Sequence, residues 1–140
     1  AGERIRHELL RENVVVHPAV MFRRDAYLES GGYDVDLAMS EDYHLWLKMA
    51  LLGEVTILAE DLLLYRIHVN QATKRVKQTG PHLRAIVAAQ KNLAAALHLP
   101  PIAAARHRFR WTAIQYLMAS RVVALRLGDR LLARGHRSRR

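Results

Sequence analysis

The segment from Ser40 to Gly53 carries the clearest helix signals in the chain, and it constrains the fold most. Ser40 is a suitable N-cap residue. Glu41 and Asp42 fall in the first turn, where free backbone amides and the helix dipole favour negative charge. Apolar residues recur at helical spacing beyond them, until the glycine ends the pattern. We therefore predict a helix that runs to about Leu52, with a carboxylate fixed at its start that can take a proton from a substrate.

Short apolar runs lie on both sides of this helix. Runs of this kind predict strands, and they occupy residues 14–16, 19–22, 55–58 and 62–66. Asp25 is expected to cap a short helix over residues 26–30, which Gly31 closes as a C-cap. Strands interleaved with helices favour an α/β fold.

The second half of the chain has a different character. Residues 69–80 are polar and predict a mobile segment, and alanine and leucine then predict a helix over residues 82–97. A proline pair at residues 100–101 interrupts the helical pattern. A longer helix is expected over residues 102–133, followed by a basic, disordered tail.

The composition limits the classes of protein that fit. A chain of 140 residues suits one domain, and the absence of cysteine excludes disulfides and cysteine-based metal sites. No apolar run approaches the roughly 18 residues of a membrane span, so we expect a cytoplasmic protein. The net charge is +9, and residues 106–140 hold ten arginines against one acid, Asp129. This asymmetry predicts an anionic partner, which is a nucleic acid, a phospholipid or a phosphorylated substrate.

Four segments of the sequence together resemble a known family. They are residues 17–24 (HPAVMFRR), residues 31–34 (GGYD), residues 40–46 (SEDYHLW) and residues 64–68 (LYRIH). Their order and spacing resemble the acceptor-side half of a family 2 glycosyltransferase, an inverting enzyme of GT-A type. The resemblance covers residues 13–75, which is about half of the chain.

The resemblance implies a fold and a reaction. Residues 1–80 would form the acceptor-side half of a GT-A-type α/β domain, and residues 81–140 a helical C-terminal region with a basic tail. The reaction would transfer a sugar from a nucleotide-diphospho-sugar donor to an acceptor hydroxyl with inversion. The implied cofactor is a divalent metal, Mn²⁺ or Mg²⁺, and the implied acceptor is a carbohydrate or a lipid-linked molecule.

The resemblance also assigns roles to single residues. Asp42 is the candidate general base, with Glu41 beside it. Arg66 and His68 would stabilise the leaving diphosphate, and His68 would also bind the metal. The other matched residues would border the acceptor: Gly31, Gly32, Tyr33, Asp34 and Trp46.

Each assignment has a structural alternative. The two adjacent carboxylates also fit simple helix capping, and Gly31 also fits a helix C-cap. Trp46 lies in an apolar helix and fits the core, whereas His68 fits a structural or solvated position after a strand. His17 matches the family pattern, but its role is open between packing and acceptor contact.

The nucleotide-binding half of such an enzyme has no match in this sequence. The motif Asp34-Val35-Asp36 follows the glycine pair, so we assign it to the acceptor side and not to a metal motif. The 12 residues before the match are too few for several strand–helix units. We therefore expect this chain to be a fragment without catalytic activity of its own.

Two other classes of function stay open. A nucleic-acid-binding module explains the charge, but no recognised nucleic-acid motif is present, so nucleic acid is the weaker partner. A non-catalytic interaction domain explains the motifs without a reaction. The basic C-terminal helix fits either docking on the anionic inner face of a membrane or packing on the catalytic domain. Unpaired strands also leave open an oligomer formed by pairing between copies.

Overall fold

The computed structural model describes residues 2–68 and 80–118 of the chain. All of its regular structure is helical: α1 (Gly2–Leu9), a 3-10 turn (His17–Ala19), α2 (Arg24–Glu29), α3 (Glu41–Leu52), α4 (Gly80–Ala96) and α5, which covers residues 101–118. Among these helices, none combines the length and the hydrophobicity needed to cross a membrane.

The core forms around α3, which packs against α1, α2 and α4. Leu45 and Leu47 of α3 are fully buried, as are Ile86 and Leu93 of α4. Because neighbours cover α3 on several sides, its sequence is apolar around most of its circumference and not along one stripe. The side chain of Trp111 from α5 completes this core.

A buried polar network ties three helices together. The hydroxyl of Tyr43 on α3 donates to the carbonyl of Leu9 at the end of α1. The side-chain amide of Gln90 on α4 donates to the Leu10 carbonyl at 3.3 Å and to the Tyr43 hydroxyl at 3.1 Å. Burial raises the pKa of Tyr43 far above its ordinary value, so the hydroxyl stays neutral. The network therefore fixes α1 and α4 against α3 at defined positions.

The predicted α/β fold of GT-A type is wrong for the described residues, which contain no strand and no sheet. Residues 55–58 and 62–66 are irregular and exposed, apart from a half-buried Val55. Residues 14–16 and 19–22 flank the 3-10 turn, and their valines at positions 14, 15 and 20 pack against the helical core. Strand propensity reflects how well a side chain fits a pleated, half-buried surface. Without a paired neighbour to form a ladder, an apolar run of this kind has no sheet to join.

The helix boundaries agree more closely with the sequence. The prediction for α3 is confirmed, since it ends at Leu52 with Gly53 as its C-cap. Ser40 occupies the N-cap position, but its hydroxyl makes no capping hydrogen bond. The helical pattern is interrupted as expected, because α4 ends at Ala96 and α5 begins with Pro101. Of the mobile segment predicted over residues 69–80, Gly80 begins α4 and residues 69–79 lie outside the described residues, as does the chain from residue 119 onward.

Candidate functional site

Five side-chain rings form one aromatic cluster: four come from three of the four motif regions, and the fifth, Tyr27, comes from α2 between them. His17 lies 5.7 Å from Tyr33 and 5.8 Å from Trp46, measured between ring centroids. Phe22 lies 5.6 Å from Tyr27, in a stacked arrangement, and 5.9 Å from Trp46. Tyr27 and Tyr33 are 5.7 Å apart. These separations are typical of favourable aromatic pairs. The five residues are called the aromatic cluster below.

A glycine turn brings α2 and Tyr33 together. Gly31 and Gly32 have φ angles of 79° and 64°, in the left-handed region that glycine adopts without strain. The amide of Gly31 donates to the carbonyl of Leu28, and the amide of Gly32 donates to that of Tyr27. This pattern is a Schellman motif, so the predicted C-cap role of Gly31 is confirmed. The reversal of the chain lets Tyr33 return to the Tyr27 ring.

Helix α3 is attached to this turn. The ammonium group of Lys48 donates to the Gly32 carbonyl at 2.8 Å. A Cβ atom built on Gly32 would lie 2.9 Å from the Tyr27 ring tip, whereas one on Gly31 would lie 3.9 Å from the Lys48 nitrogen. Gly32 therefore allows a close approach that a larger residue would prevent. Acceptor binding by the two glycines stays a prediction.

The carboxylates at the start of α3 lie beside the aromatic cluster. Burial raises the pKa of the Tyr33 hydroxyl, and nearby Tyr27, Asp42 and Glu41 raise it further. Asp42 also precedes Trp46 by four residues on α3, so the two side chains lie on the same face of the helix. Its Oδ2 accepts a hydrogen bond of 3.2 Å from the side-chain amide of Asn13, and its Oδ1 accepts one of 2.6 Å from the Tyr43 amide.

Hydrogen bonds hold the Asp42 carboxylate in one orientation at the first turn of α3. Glu41, by contrast, has a buried Oε2 that accepts no hydrogen bond within the described residues. A buried carboxylate oxygen without a donor is costly. The pair thus offers one anchored carboxylate and one with unused acceptor capacity.

Asp34 has a local structural role. Its Oδ1 accepts a hydrogen bond of 3.1 Å from the Asp36 amide, which closes a turn, and its Oδ2 lies 4.0 Å from Nδ1 of His44. Burial lowers the pKa of His44, and Lys48 lowers it further, while Asp34 opposes the change. His44 is therefore neutral near pH 7, and the Asp34–His44 contact is not a full ion pair. The predicted contact of Asp34 with an acceptor stays a prediction.

Exposure separates the rings of the aromatic cluster into a floor and a surface. Trp46 is 5% exposed and forms the floor, as its position in an apolar helix favoured. Phe22 is 39% exposed, and His17 is also exposed. The His17 Nε2 and the Tyr33 hydroxyl share a hydrogen bond of 2.9 Å, which fixes the imidazole over the floor. A ligand can therefore reach Phe22 and His17, and Trp46 supports both from below.

Such a surface suits a carbohydrate. A sugar ring has C–H groups on its faces and hydroxyls around its edge. An exposed aromatic ring packs against the C–H groups, and a carboxylate accepts hydrogen bonds from the hydroxyls. The edge of the cluster carries Asp42 and Glu41, so both kinds of contact are available within one site.

Arg66 and His68 belong to the exposed, irregular segment of residues 54–68. The ring contacts and hydrogen bonds that build the aromatic cluster include neither of them. No group of three or more histidine, aspartate or glutamate side chains in the described residues is arranged to hold a metal ion. The diphosphate and metal roles of this pair therefore stay predictions.

Several residues of the site could not be recognised from the sequence. Tyr27 and Phe22 received no role, although both contribute rings, and Asn13 and Lys48 hold Asp42 and the glycine turn. Asn13 and Asp42 are 29 positions apart, so no local pattern links them. One feature of the sequence points to an aromatic cluster, namely the number of aromatic and histidine side chains between residues 17 and 46.

Comparison with protein-family models, with curated protein sequences and with solved structures finds no match to this chain. The resemblance to family 2 glycosyltransferases therefore depends on the four motif segments of the sequence alone.

Proposed function

We propose that this chain supplies the acceptor-binding part and the general base of an inverting glycosyltransferase. One observation carries the proposal. Three of the four motif segments, at residues 17–24, 31–34 and 40–46, meet at the aromatic cluster beside Asp42. Because the regular structure of the described residues is all helical, the proposal draws no support from the class of fold and depends on the residues of the site alone.

The aromatic cluster would bind the acceptor. A sugar face packs on Phe22 and His17, and Asp42 accepts a hydrogen bond from a hydroxyl at the sugar edge. The acceptor is a carbohydrate or the sugar of a lipid-linked molecule.

Asp42 would then act as the base. Its carboxylate takes the proton of the acceptor hydroxyl as that oxygen forms a bond to the anomeric carbon of the donor. The bond from the same carbon to the nucleotide diphosphate breaks on the opposite side, and the diphosphate leaves with the electron pair. Attack opposite to the leaving group inverts the anomeric centre. The amide of Asn13 keeps Oδ2 in position for this step.

The donor would be held by a nucleotide-binding part that these residues do not resemble. A divalent metal would stabilise the leaving diphosphate there, with Arg66 and His68 as proposed contributors. The described residues show no metal-binding group, so no step is assigned to the metal. The cysteine-free sequence fits the cytoplasmic location that we propose, at or near the inner face of the membrane.

Acceptor binding can be tested on the chain itself. We would titrate ¹⁵N-labelled protein with a panel of mono- and oligosaccharides and follow amide and indole shifts. One or more saccharides should shift the Trp46 indole signal, and Phe22→Ala should weaken the binding at least tenfold. Phe109→Ala is the matched control, because Phe109 is 78% exposed and lies outside the aromatic cluster.

The outcomes separate the possible classes of function. Saccharide binding lost in Phe22→Ala but kept in Phe109→Ala supports the acceptor site. A folded chain that binds no saccharide overturns it and favours a non-catalytic interaction domain. Calorimetric titration with UDP, GDP and dTDP, with and without Mn²⁺, tests whether the donor site lies outside this chain. Metal-dependent binding of a nucleotide by this chain alone would show that the donor site is here.

A further inference from the structure

A basic cavity lies where the segment after α1 meets the start of α5. Its volume is about 430 Å³. The lining comprises four basic side chains, Arg11, Arg106, His107 and Arg110, and three apolar residues, Pro100, Ile102 and Ala103. Its size falls within the range of small-ligand sites, roughly 300–1,000 Å³. These residues are called the basic cavity below.

The helix α5 brings most of the basic cavity together by its periodicity. Ile102, Arg106 and Arg110 are spaced by four residues and so lie along one face of the helix. His107 lies four positions after Ala103 and three before Arg110, so it borders the same face. Arg11 then approaches from the segment after α1, so that positive side chains from two parts of the chain face the same space.

No carboxylate in the described part of the chain neutralises this positive charge. The lining that the described residues form includes no aspartate or glutamate. None of Arg11, Arg106 and Arg110 takes part in an ion pair within residues 2–68 and 80–118. Like charges gathered around one cavity repel one another, and a bound anion relieves that repulsion.

The pKa of His107 reflects the positive charge around the cavity. Burial lowers the pKa of its imidazole, and positive charge on Arg11, His7, Arg106 and Arg110 lowers it further. No acidic group opposes this change. The imidazole is half-buried in the wall of the cavity, so it senses the same unbalanced positive field that a ligand would meet.

We propose that the basic cavity binds the phosphate group of a phosphorylated ligand. A guanidinium presents a planar set of donors that matches two phosphate oxygens at once. Arg106 and Arg110 offer two such groups from α5, and Arg11 offers a third from the other wall. The apolar residues at the start of α5 provide a surface for the carbon part of the ligand. The site is separate from the aromatic cluster and does not depend on the proposed transfer reaction.

Calorimetry with inorganic pyrophosphate tests the proposal, with chloride at the same ionic strength as the reference. Wild-type protein should bind one pyrophosphate, and the double variant Arg106→Gln/Arg110→Gln should bind it at least tenfold more weakly. Both arginines are exposed, so the variant is expected to fold, which circular dichroism checks. The single variants Arg106→Gln and Arg110→Gln are compared with the control Arg108→Gln, which removes one positive charge from the same helix outside the cavity; binding should change less than threefold in the control.

A second arm identifies the source of the phosphate. Vesicles of phosphatidylcholine with one quarter phosphatidic acid are compared with vesicles of phosphatidylcholine alone. Cavity-dependent binding of pyrophosphate indicates a soluble phosphate ligand, and cavity-dependent binding of the acidic vesicles alone indicates a lipid headgroup. Both support the site.

Two results would overturn the proposal: no binding to either probe, or equal weakening in Arg108→Gln and in the single variants Arg106→Gln and Arg110→Gln. A third measurement gives an independent readout. The pKa of His107, followed by NMR of its imidazole, should rise when pyrophosphate saturates the wild-type protein and should not change in the double variant.

Discussion

Replacing Gly32 with alanine is a direct test of the packing that builds the candidate site. The φ angle of 64° is unfavourable for any residue with a Cβ, at a cost of about 1–2 kcal/mol. The new methyl group would also lie 2.9 Å from the ring tip of Tyr27. That ring must move, yet it stacks on Phe22 and packs against Tyr33.

Gly31→Ala separates these two effects. Its φ angle of 79° carries a similar backbone cost, but its new methyl group meets only the Lys48 ammonium nitrogen at 3.9 Å. Losing one or both ring contacts of Tyr27 adds about 0.5–1.5 kcal/mol for each in Gly32→Ala. Gly32→Ala should therefore destabilise the chain by about 0.5–3 kcal/mol more than Gly31→Ala does.

Urea unfolding followed by circular dichroism measures both free energies of unfolding. Gly53→Ala completes the series, because Gly53 is extended with nothing near its Cβ position, and its free energy should change little. Equal destabilisation by Gly31→Ala and Gly32→Ala, within about 0.5 kcal/mol, would refute the argument that Tyr27 is held against the turn.

Three further predictions concern the core, the pH response and the reaction. Tyr43→Phe removes the hydroxyl that donates to the Leu9 carbonyl, and we expect a loss of about 1–3 kcal/mol in urea unfolding; an unchanged midpoint and slope would contradict this. Burial lowers the pKa of His44 and of His107 below the ordinary value of 6.5, so the unfolded chain binds more protons than the folded chain. Their contribution to stability is therefore complete above that value and is lost as the pH falls through the folded pKa values. Unfolding at pH 7.5 and 5.5 checks the sign, and equal or greater stability at the lower pH would be contrary to it. In an enzyme that joins this sequence to a nucleotide-binding part, Asp42→Asn should lower kcat by about 10²–10⁴-fold with folding intact. A rate near that of the unchanged enzyme excludes Asp42 as the base.

The features that the sequence predicted well depend on a few neighbouring residues. The end of α3 at Gly53 and the left-handed cap at Gly31 follow from backbone preferences that operate within one turn. The burial of Trp46 follows similarly from its place in an apolar helix. Local signals of this kind survive in almost any tertiary setting.

The features that it missed depend on contacts between distant residues. Residues 55–58 and 62–66 have strand-like composition, but a strand exists only when another segment completes its hydrogen bonds. The hydrogen bond from Asn13 to Asp42 and the stacking of Phe22 on Tyr27 likewise require the finished packing. The identity of the candidate base could be taken from the motif, whereas the residues that hold and surround it could not.

The exposed segment of residues 54–68 has a practical consequence for handling the protein. It carries large apolar side chains that are between 37% and 99% exposed, namely Ile57, Leu58, Leu62, Leu63, Leu64, Tyr65 and Ile67. An exposed apolar segment of this kind promotes aggregation and is accessible to proteases. Concentrated solutions should therefore become turbid with time. Thermolysin should cleave between α3 and α4 before it cleaves within either helix.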